Sequence, residues 1–98
     1  MFDVFFKNKV FHRENGPAYI RYYKDGVIQD ESFYLEGRLH KEDGPAHTRY
    51  YYMGGAAHQK YCINGKLHRD GAPAFIGYDP DGRIINEMYF SNGAAKNV

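Results

Sequence analysis

The stretch LHKEDGPA, Leu39 to Ala46, decides the fold, because related stretches stand on both sides of it. VFHRENGPA occupies Val10 to Ala18, and KLHRDGAPA occupies Lys66 to Ala74. Equivalent residues in the three stretches are 28 positions apart, with no insertion between them. The residues that recur at this spacing are His12, His40 and His68; Pro17, Pro45 and Pro73; Ala18, Ala46 and Ala74; Tyr22, Tyr50 and Tyr78; and Gly26, Gly54 and Gly82. A fixed period of this length predicts a repeat protein.

The period indicates that the chain of 98 residues is a single domain made of repeats. A partial repeat covers 1–11, complete repeats cover 12–39, 40–67 and 68–95, and a short tail covers 96–98. A chain of this length supports one modest core and is too short for two ordinary domains.

Glycine marks a turn twice in each repeat. The recurring unit is an aromatic residue, three others, a glycine, one more residue and then an apolar one, as in Tyr22 to Gly26 to Ile28. Hairpin turns need residues with positive φ, which glycine adopts without a Cβ clash, so each glycine predicts a hairpin. Phe5, Lys9 and Phe11 form a further copy in which Lys replaces the glycine.

Between the turns, side chains alternate with the period of two that is typical of strands. Ala18, Ile20 and Tyr22 alternate with Tyr19, Arg21 and Tyr23. After the turn the parity changes, which indicates a bulge near Gln29 and Asp30. The windows between glycines are too short for stable amphipathic helices. We therefore predict an all-β fold, an elongated antiparallel meander of hairpin repeats in a single twisted sheet of nine or ten strands, about 45 Å across.

Charge and cysteine content narrow the function classes. Thirteen Lys and Arg balance twelve Asp and Glu, so no strong field marks a general binder of nucleic acid or membranes. The single cysteine, Cys62, excludes an internal disulfide framework and favours a reducing compartment. No apolar run approaches the roughly 20 residues that span a bilayer. We expect a cytoplasmic protein.

The recurring loop allows a structural and a chemical interpretation. In the structural one, His12, Pro17, His40, Pro45, His68 and Pro73 hold the chain reversal together, each His donating to a loop carbonyl. In the chemical one, the three His residues bind a metal or act as acid–base catalysts with Glu14, Glu42 and Asp70. Neighbouring copies would lie on the order of 10 to 20 Å apart, too far to share one zinc ion. We expect no metal, no cofactor and no catalytic residue.

The strands before the glycines provide the candidate binding residues. If Ala18, Ile20 and Tyr22 face the core, an aromatic and basic stripe faces outward. Its members are Tyr19, Arg21, Tyr23, His47, Arg49, Tyr51 and Phe75. Tyr and Arg are enriched at protein-binding hot spots, and the same mixture can stack bases of a single strand. Cross-strand pairing without a partner explains the stripe equally well, and the reverse choice of buried face stays open.

The run YCINGKLHRD, Tyr61 to Asp70, resembles the MORN-type repeat, as do its equivalents FYLEGRLHKED and YFSNGAAKN. Asn64, Gly65, Lys66 and His68 match the family motif, as do Gly37, Arg38 and His40. The family's large aromatic would fall at Tyr34, Cys62 and Phe90. The chain departs from the family in its longer period and in the glycine after the His, which is replaced by Arg13, Lys41 and Arg69.

The resemblance implies a non-catalytic hairpin scaffold that binds a protein or sometimes lipid. The variant with an HREDGPA-like insertion is associated with viral and bacterial proteins, so a phage or viral protein that blocks a host defence component is one expectation. The alternatives are binding of a lipid headgroup or single-stranded nucleic acid through the Arg and Tyr face, and a His-dependent metal enzyme. The apolar start, MFDVFF, is a candidate edge strand that could pair two molecules into a homodimer.

Overall fold

The computed structural model describes residues 1–96, and within that range it consists of β-strands and the turns between them. None of the described residues forms a helix long and apolar enough to cross a membrane. The main sheet contains eight antiparallel strands: β1 (Phe2–Val4), β4 (Tyr19–Tyr22), β5 (Ile28–Ser32), β8 (His47–Tyr50), β9 (Ala56–Lys60), β12 (Phe75–Tyr78), β13 (Ile84–Ser91) and β14 (Ala94–Lys96). Short separate hairpins are formed by β2 (Phe6–Lys7) with β3 (Val10–Phe11), β6 (Tyr34–Leu35) with β7 (Arg38–Leu39), and β10 (Cys62–Ile63) with β11 (Lys66–Leu67). The all-β antiparallel prediction is confirmed.

The prediction of a single elongated sheet is wrong. The order of strands in the main sheet is β1-β4-β5-β8-β9-β12-β13-β14, so the short hairpins are left out of it. The described residues form 14 strands instead of nine or ten, because the short hairpins break the long strands in two. With part of each repeat outside the main sheet, the molecule is a slab of 37 × 33 × 17 Å. The length predicted from the spacing of strands in one continuous sheet is therefore not reached.

The short hairpins, and the turn between β13 and β14, lie where the sequence predicts. Gly37, Gly65 and Gly93 have φ values of 83°, 83° and 85°, and the residues before them have φ values of 49° to 51°. Two successive positive φ angles define the type I′ turn that suits the twist of a two-stranded hairpin. Lys9 adopts the same conformation, with φ 67°, although it has a side chain. The partial first repeat therefore folds like the complete ones.

The predicted bulge is confirmed. Arg21 pairs with Asp30, but the next residue, Tyr22, pairs with Ile28, so Gln29 is the extra residue. The same shift recurs in β9 and in β13, at the equivalent positions of the next two repeats. A bulge bends the strand locally and increases its twist, so the sheet turns in the same way in each repeat.

A fully buried alanine stands at each junction where the recurring loop enters the main sheet, directly before β4, β8 or β12. Ala18, Ala46 and Ala74 have no exposed surface. Each of their carbonyls accepts a hydrogen bond from a backbone N–H of an aromatic residue that interrupts the long strand, at 2.7 to 2.8 Å. A larger side chain at this junction would have to enter a site with no exposed surface, so we expect it to destabilise the fold.

The two faces of the main sheet differ in what covers them. On one face, which we call the hairpin-side face, the ring of Tyr19 lies 5.9 Å from that of Phe11, which in turn lies 5.0 Å from the ring of Tyr34. Phe11 and Tyr34 belong to short hairpins, so these hairpins pack against this face. On the opposite face, tyrosine side chains reach across to the neighbouring strand, as Tyr22 does in donating to Asp3.

This arrangement corrects the expected division into a core face and a solvent face. The opposite face buries Thr48 and Ile76, and the hairpin-side face buries Asp30 and Ser32. Both faces are therefore partly buried, because each is covered by a thin layer of the chain's own side chains.

The amino end lies at one edge of the main sheet, where β1 pairs only with β4 among the described strands. Phe2 and Val4 are exposed there. Of the predicted edge strand MFDVFF, Phe2–Val4 form the edge and Phe6 belongs to a short hairpin instead. Homodimer formation through this edge stays a prediction.

Candidate functional site

The recurring loops form the first candidate site, and their histidines make the same contact in each repeat. The Nδ1 atom of each His accepts a hydrogen bond from the backbone N–H of the left-handed residue in the next turn, which lies in a short hairpin for His12 and His40 and between β13 and β14 for His68. The bonds are His12 with Glu36 at 2.8 Å, His40 with Asn64 at 3.0 Å, and His68 with Asn92 at 3.0 Å. The sequence predicted a His that donates to a loop carbonyl. At Nδ1 the structure shows the reverse, because the partner that comes within reach is an N–H.

The basic residue after each His stabilises the same loop. The guanidinium of Arg13 lies 3.9 Å from the ring centre of Phe5, and that of Arg69 lies 3.8 Å from the ring centre of Tyr61. The ammonium of Lys41 lies 3.9 Å from the ring centre of Phe33 in the same way. Both arginines also donate to the carbonyl of the loop proline, Pro17 or Pro73, at 3.2 Å. In the second repeat, the carbonyl of Pro45 receives no such bond from Lys41 among the described contacts.

The loops do not assemble a metal centre from the described residues. Each His Nε2 lies 3.3 to 3.5 Å from one nearby carboxylate, Glu14, Glu42 or Asp70. Across residues 1–96, no group of three or more His, Cys, Asp or Glu side chains is placed to hold a metal ion. His12, His40 and His68 therefore each pair with one carboxylate of their own loop, and each is hydrogen-bonded to the backbone of the next repeat.

The second candidate site is a groove on the hairpin-side face, where the first two repeats meet. Its volume is about 370 Å³. It is lined by Tyr19, Arg21, Asp30, Ser32, Tyr34, Leu39, His47, Arg49 and Lys60. Strands β4, β5, β8 and β9 supply the polar members, and the hairpin of β6 and β7 supplies Tyr34 and Leu39.

An ion pair between a buried carboxylate and a half-buried guanidinium organises the groove. Asp30 is 5% exposed, and its two oxygens accept from Nε and Nη2 of Arg49 at 3.0 and 3.3 Å. The two residues are directly opposite each other in the register of β5 and β8. A bidentate pair fixes the guanidinium plane, and removal of Arg49 would leave the buried charge of Asp30 unpaired.

His47 also contacts the buried Asp30 and connects it to Ser32. Its Nδ1 lies 2.7 Å from Ser32 Oγ, and its Nε2 lies 3.7 Å from Asp30 Oδ1. Burial, followed by the neighbouring His58, lowers the pKa of His47 to about 4, so the ring is neutral at pH 7. Burial also lowers the pKa of His58, whose Nε2 is buried without a hydrogen-bond partner among the described residues.

The combination of Ser, His and Asp superficially matches a catalytic triad, but its geometry suits strand pairing better. A nucleophilic serine must be open to substrate, whereas Ser32 is almost completely buried. Ser32 and His47 are also directly opposite each other in the register of β5 and β8. Their hydrogen bond therefore links two strands.

The structure brings together four of the seven residues predicted for partner binding: Tyr19, Arg21, His47 and Arg49 all line the groove. Phe75 lies further along the same row, 5.6 Å from the ring of His58.

Tyr23 and Tyr51 do not line the groove. Their hydroxyls donate to the carbonyls of Tyr50 and Tyr78, at 2.7 and 2.6 Å, and so connect successive repeats. Of the seven predicted residues, Arg21 alone is exposed and the other six are half-buried.

Sequence reasoning missed the members of the groove that come after the turns. Asp30, Ser32 and Lys60 lie on the strands that follow the glycines, and Tyr34 and Leu39 lie on a short hairpin. The predicted bulge could have identified Asp30 as a member of the groove. Once Gln29 is taken as an extra residue, Asp30 falls on the same face as Arg21, and a carboxylate beside two arginines predicts an ion pair.

Comparison of the chain with protein-family models, with curated proteins and with solved structures found no match.

Proposed function

We propose that the chain is a non-catalytic binding module whose groove receives an acidic segment of a partner protein. The observation that carries the proposal is the charge of the groove. Arg21, Arg49 and Lys60 face a single carboxylate, Asp30, while His47 is neutral. One cation neutralises Asp30, and two positive charges are left for a ligand.

The three groove cations differ in how freely they can contact a ligand, and this difference supports the proposal. Arg49 is held by Asp30 through two hydrogen bonds, so its guanidinium lines the groove in one fixed orientation. Arg21 is exposed and Lys60 is half-buried, so both can reach a carboxylate in the groove. Tyr19 and Tyr34 supply flat aromatic surface beside them. Aromatic side chains and arginine are both enriched at protein-binding hot spots.

Protein is favoured over the other anionic ligands because the positive charge is local. The chain as a whole has a net charge of +1, whereas nucleic acid and anionic membranes attract extended basic surfaces. Occlusion of a functional surface on the partner follows as the mode of action. A phage or viral origin with a host defence target rests on the resemblance to MORN-type repeats and is part of the same proposal.

The test is affinity capture with two double variants that lose the same charge. Arg21→Ala with Lys60→Ala removes the two groove cations other than Arg49. Lys24→Ala with Arg38→Ala removes two cations that do not line the groove. Arg49 is left intact, since its loss would unpair the buried Asp30. Circular dichroism and the unfolding temperature confirm that each variant is folded.

We expect a partner that the wild type and the control double variant both capture, and that the groove variant loses. The partner's acidic segment, prepared as a peptide, should then bind with an affinity that falls as salt rises. Equal capture by the two variants would place the interface elsewhere. Salt-dependent binding of anionic vesicles or oligonucleotides, without a captured protein, would favour the lipid or nucleic-acid alternative.

A further inference from the structure

The carboxyl-terminal edge of the main sheet is exposed in a way that its interior strands are not. Along β13, the residues Ile84 to Met88 are all exposed, with Ile84 and Ile85 at 53% and 66%. On one side they pair with β12. On the other side, none of the described strands pairs with them, because β14 pairs only with Tyr89–Ser91. A free strand edge of this kind is a template for another strand.

The equivalent strands inside the main sheet show which kind of strand pairs with such an edge. Strands β1, β5 and β9 are equivalent to β13, and each is followed in the sheet by a strand from the next repeat. At each of these junctions a tyrosine hydroxyl of the incoming strand donates across to the strand already in place. The bonds run from Tyr22 to Asp3, from Tyr50 to Glu31, and from Tyr78 to Gln59.

The incoming strands also share a sequence pattern. The residue opposite the acceptor is Ile20, Thr48 or Ile76. The buried alanine precedes it by two positions, and the donating tyrosine follows it by two. The pattern Ala-x-Ile/Thr-x-Tyr therefore combines a small residue at the junction, a β-branched residue on the ladder and a hydroxyl that reaches the acceptor.

Glu87 stands at the acceptor position of the free edge, since it is the equivalent of Gln59 in the next repeat. No tyrosine hydroxyl among the described residues donates to it. Its backbone also faces outward: Phe33 N–H points from the strand after β5 to Ala46 in the next repeat, and alternation along the strand gives Glu31 and Glu87 the same direction. The edge thus presents a carboxylate, an N–H and a carbonyl together.

We infer that this edge binds an extended segment of a partner protein with the pattern Ala-x-Ile/Thr-x-Tyr, which adds antiparallel to Asn86–Met88, the equivalent of Asp30–Ser32 in β5. The ladder bonds give affinity, and the tyrosine hydroxyl on Glu87 gives register and specificity. The same contacts hold the chain's own repeats together, so the partner segment continues an interface that the molecule already uses. The site is separate from the groove and does not depend on its function.

The experiment uses a fluorescent peptide of residues 17–23, PAYIRYY, which carries the pattern, and follows its anisotropy as the folded protein is added. A second peptide replaces Tyr22 by Phe and is otherwise identical. The protein variants are Glu87→Ala, which removes the acceptor; Glu87→Gln, which restores an acceptor like Gln59; and Glu87→Pro, which removes the outward N–H. Glu36→Ala, on a short hairpin, is the control for charge.

We expect saturable binding of PAYIRYY that weakens about tenfold with the Phe peptide and with Glu87→Ala, as for a lost hydrogen bond to a charged group. Glu87→Gln and Glu36→Ala should bind nearly as the wild type does, and Glu87→Pro should not bind. The inference would be overturned by equal affinity for both peptides, by binding that survives Glu87→Pro, or by no binding at millimolar peptide. Association of the protein with itself that PAYIRYY does not displace would also overturn it, as the edge would then prefer a second copy.

Discussion

The recurring loops and the hairpin-side face share the same repeat period but differ in how closely they obey it. In the loops, the same His accepts the same backbone hydrogen bond three times, at 2.8 to 3.0 Å, and a cation lies over an aromatic ring at 3.8 to 3.9 Å each time. On the hairpin-side face, equivalent positions hold different chemistry. Tyr19, His47 and Phe75 form one such row, and Arg21, Arg49 and Gly77 form another.

The difference separates scaffold from surface within one chain. A position that repeats its contact is required by the way one repeat is stacked on the next, because the neighbour that it touches is also repeated. A position that changes its side chain while the backbone pairing stays the same is free to serve a local purpose. The groove between the first two repeats lies on such positions, which is why we propose a binding role for the groove and a structural role for the loops.

The largest expected effect comes from the buried junction. Ala46→Leu should lower the free energy of unfolding by about 3 kcal/mol, because the added side chain must enter a fully buried site. Ala94→Leu, on the exposed strand β14, is the matched control and should change little. Urea denaturation of the two variants measures the difference. Equal stability would mean that the junction tolerates larger residues and that its repetition has another cause.

The second effect concerns the hairpin-side face and depends on pH. Folded His47 has a pKa of about 4, and an unfolded histidine has one of about 6.5. Between these values the unfolded chain binds more protons, so stability is lost as the pH falls from about 6.5 to about 4. His58 contributes in the same direction because its pKa is also lowered.

We expect a loss on the order of 2 kcal/mol over this range, less than the full shift because both rings are only partly buried. Denaturation at three pH values measures the loss, and NMR titration of the imidazole signals assigns it. The nearby charges are Asp30, Arg49 and Lys60. A His47 titration with an unshifted pKa would show that the face is open to water and that the network does not form.

The third prediction compares a histidine of the recurring loops, His40, with a histidine of the hairpin-side face, His58. His40→Ala should cost about 1 to 2 kcal/mol, since Asn64 N–H loses its acceptor and the loop loses a mostly buried ring. His58→Phe should cost little or should stabilise the fold, because the buried Nε2 that it removes has no partner among the described residues. Thermal unfolding measures both. A larger loss for His58→Phe than for His40→Ala would reverse the assignment of scaffold and surface.

Much of the fold could be predicted from the sequence because its turns are local. Gly37, Gly65 and the parity change at Gln29 each specify a backbone conformation within a few residues, and the structure has the predicted turn or bulge at all three. The separation into a main sheet and short hairpins could not be predicted. It depends on Phe5 and its equivalents leaving the ladder, and nothing in their alternation distinguishes an interrupted strand from a continuous one.

The candidate site was predicted less completely, for a related reason. Arg21 and Arg49 stand out as a repeated pair, but their partner Asp30 comes from the strand after the turn and reaches them only through the register. Register depends on the bulge and on long-range pairing, which periodicity alone does not supply. Tyr34 and Leu39 join the groove only because a short hairpin packs against the sheet.

The smallest effect tests the one turn where the first, partial repeat breaks the rule that the others follow. Lys9 occupies the left-handed position, φ 67°, that glycine holds in Gly37, Gly65 and Gly93. Lys9→Gly should stabilise the fold by about 0.5 to 1 kcal/mol, because it removes the Cβ strain of that conformation. Lys7→Gly, in the adjacent strand, should instead destabilise, since glycine is a poor strand residue. If thermal unfolding shows that Lys9→Gly also destabilises, the lysine side chain contributes more at this turn than its backbone strain costs, and the first repeat belongs with the varied surface instead of the repeated scaffold.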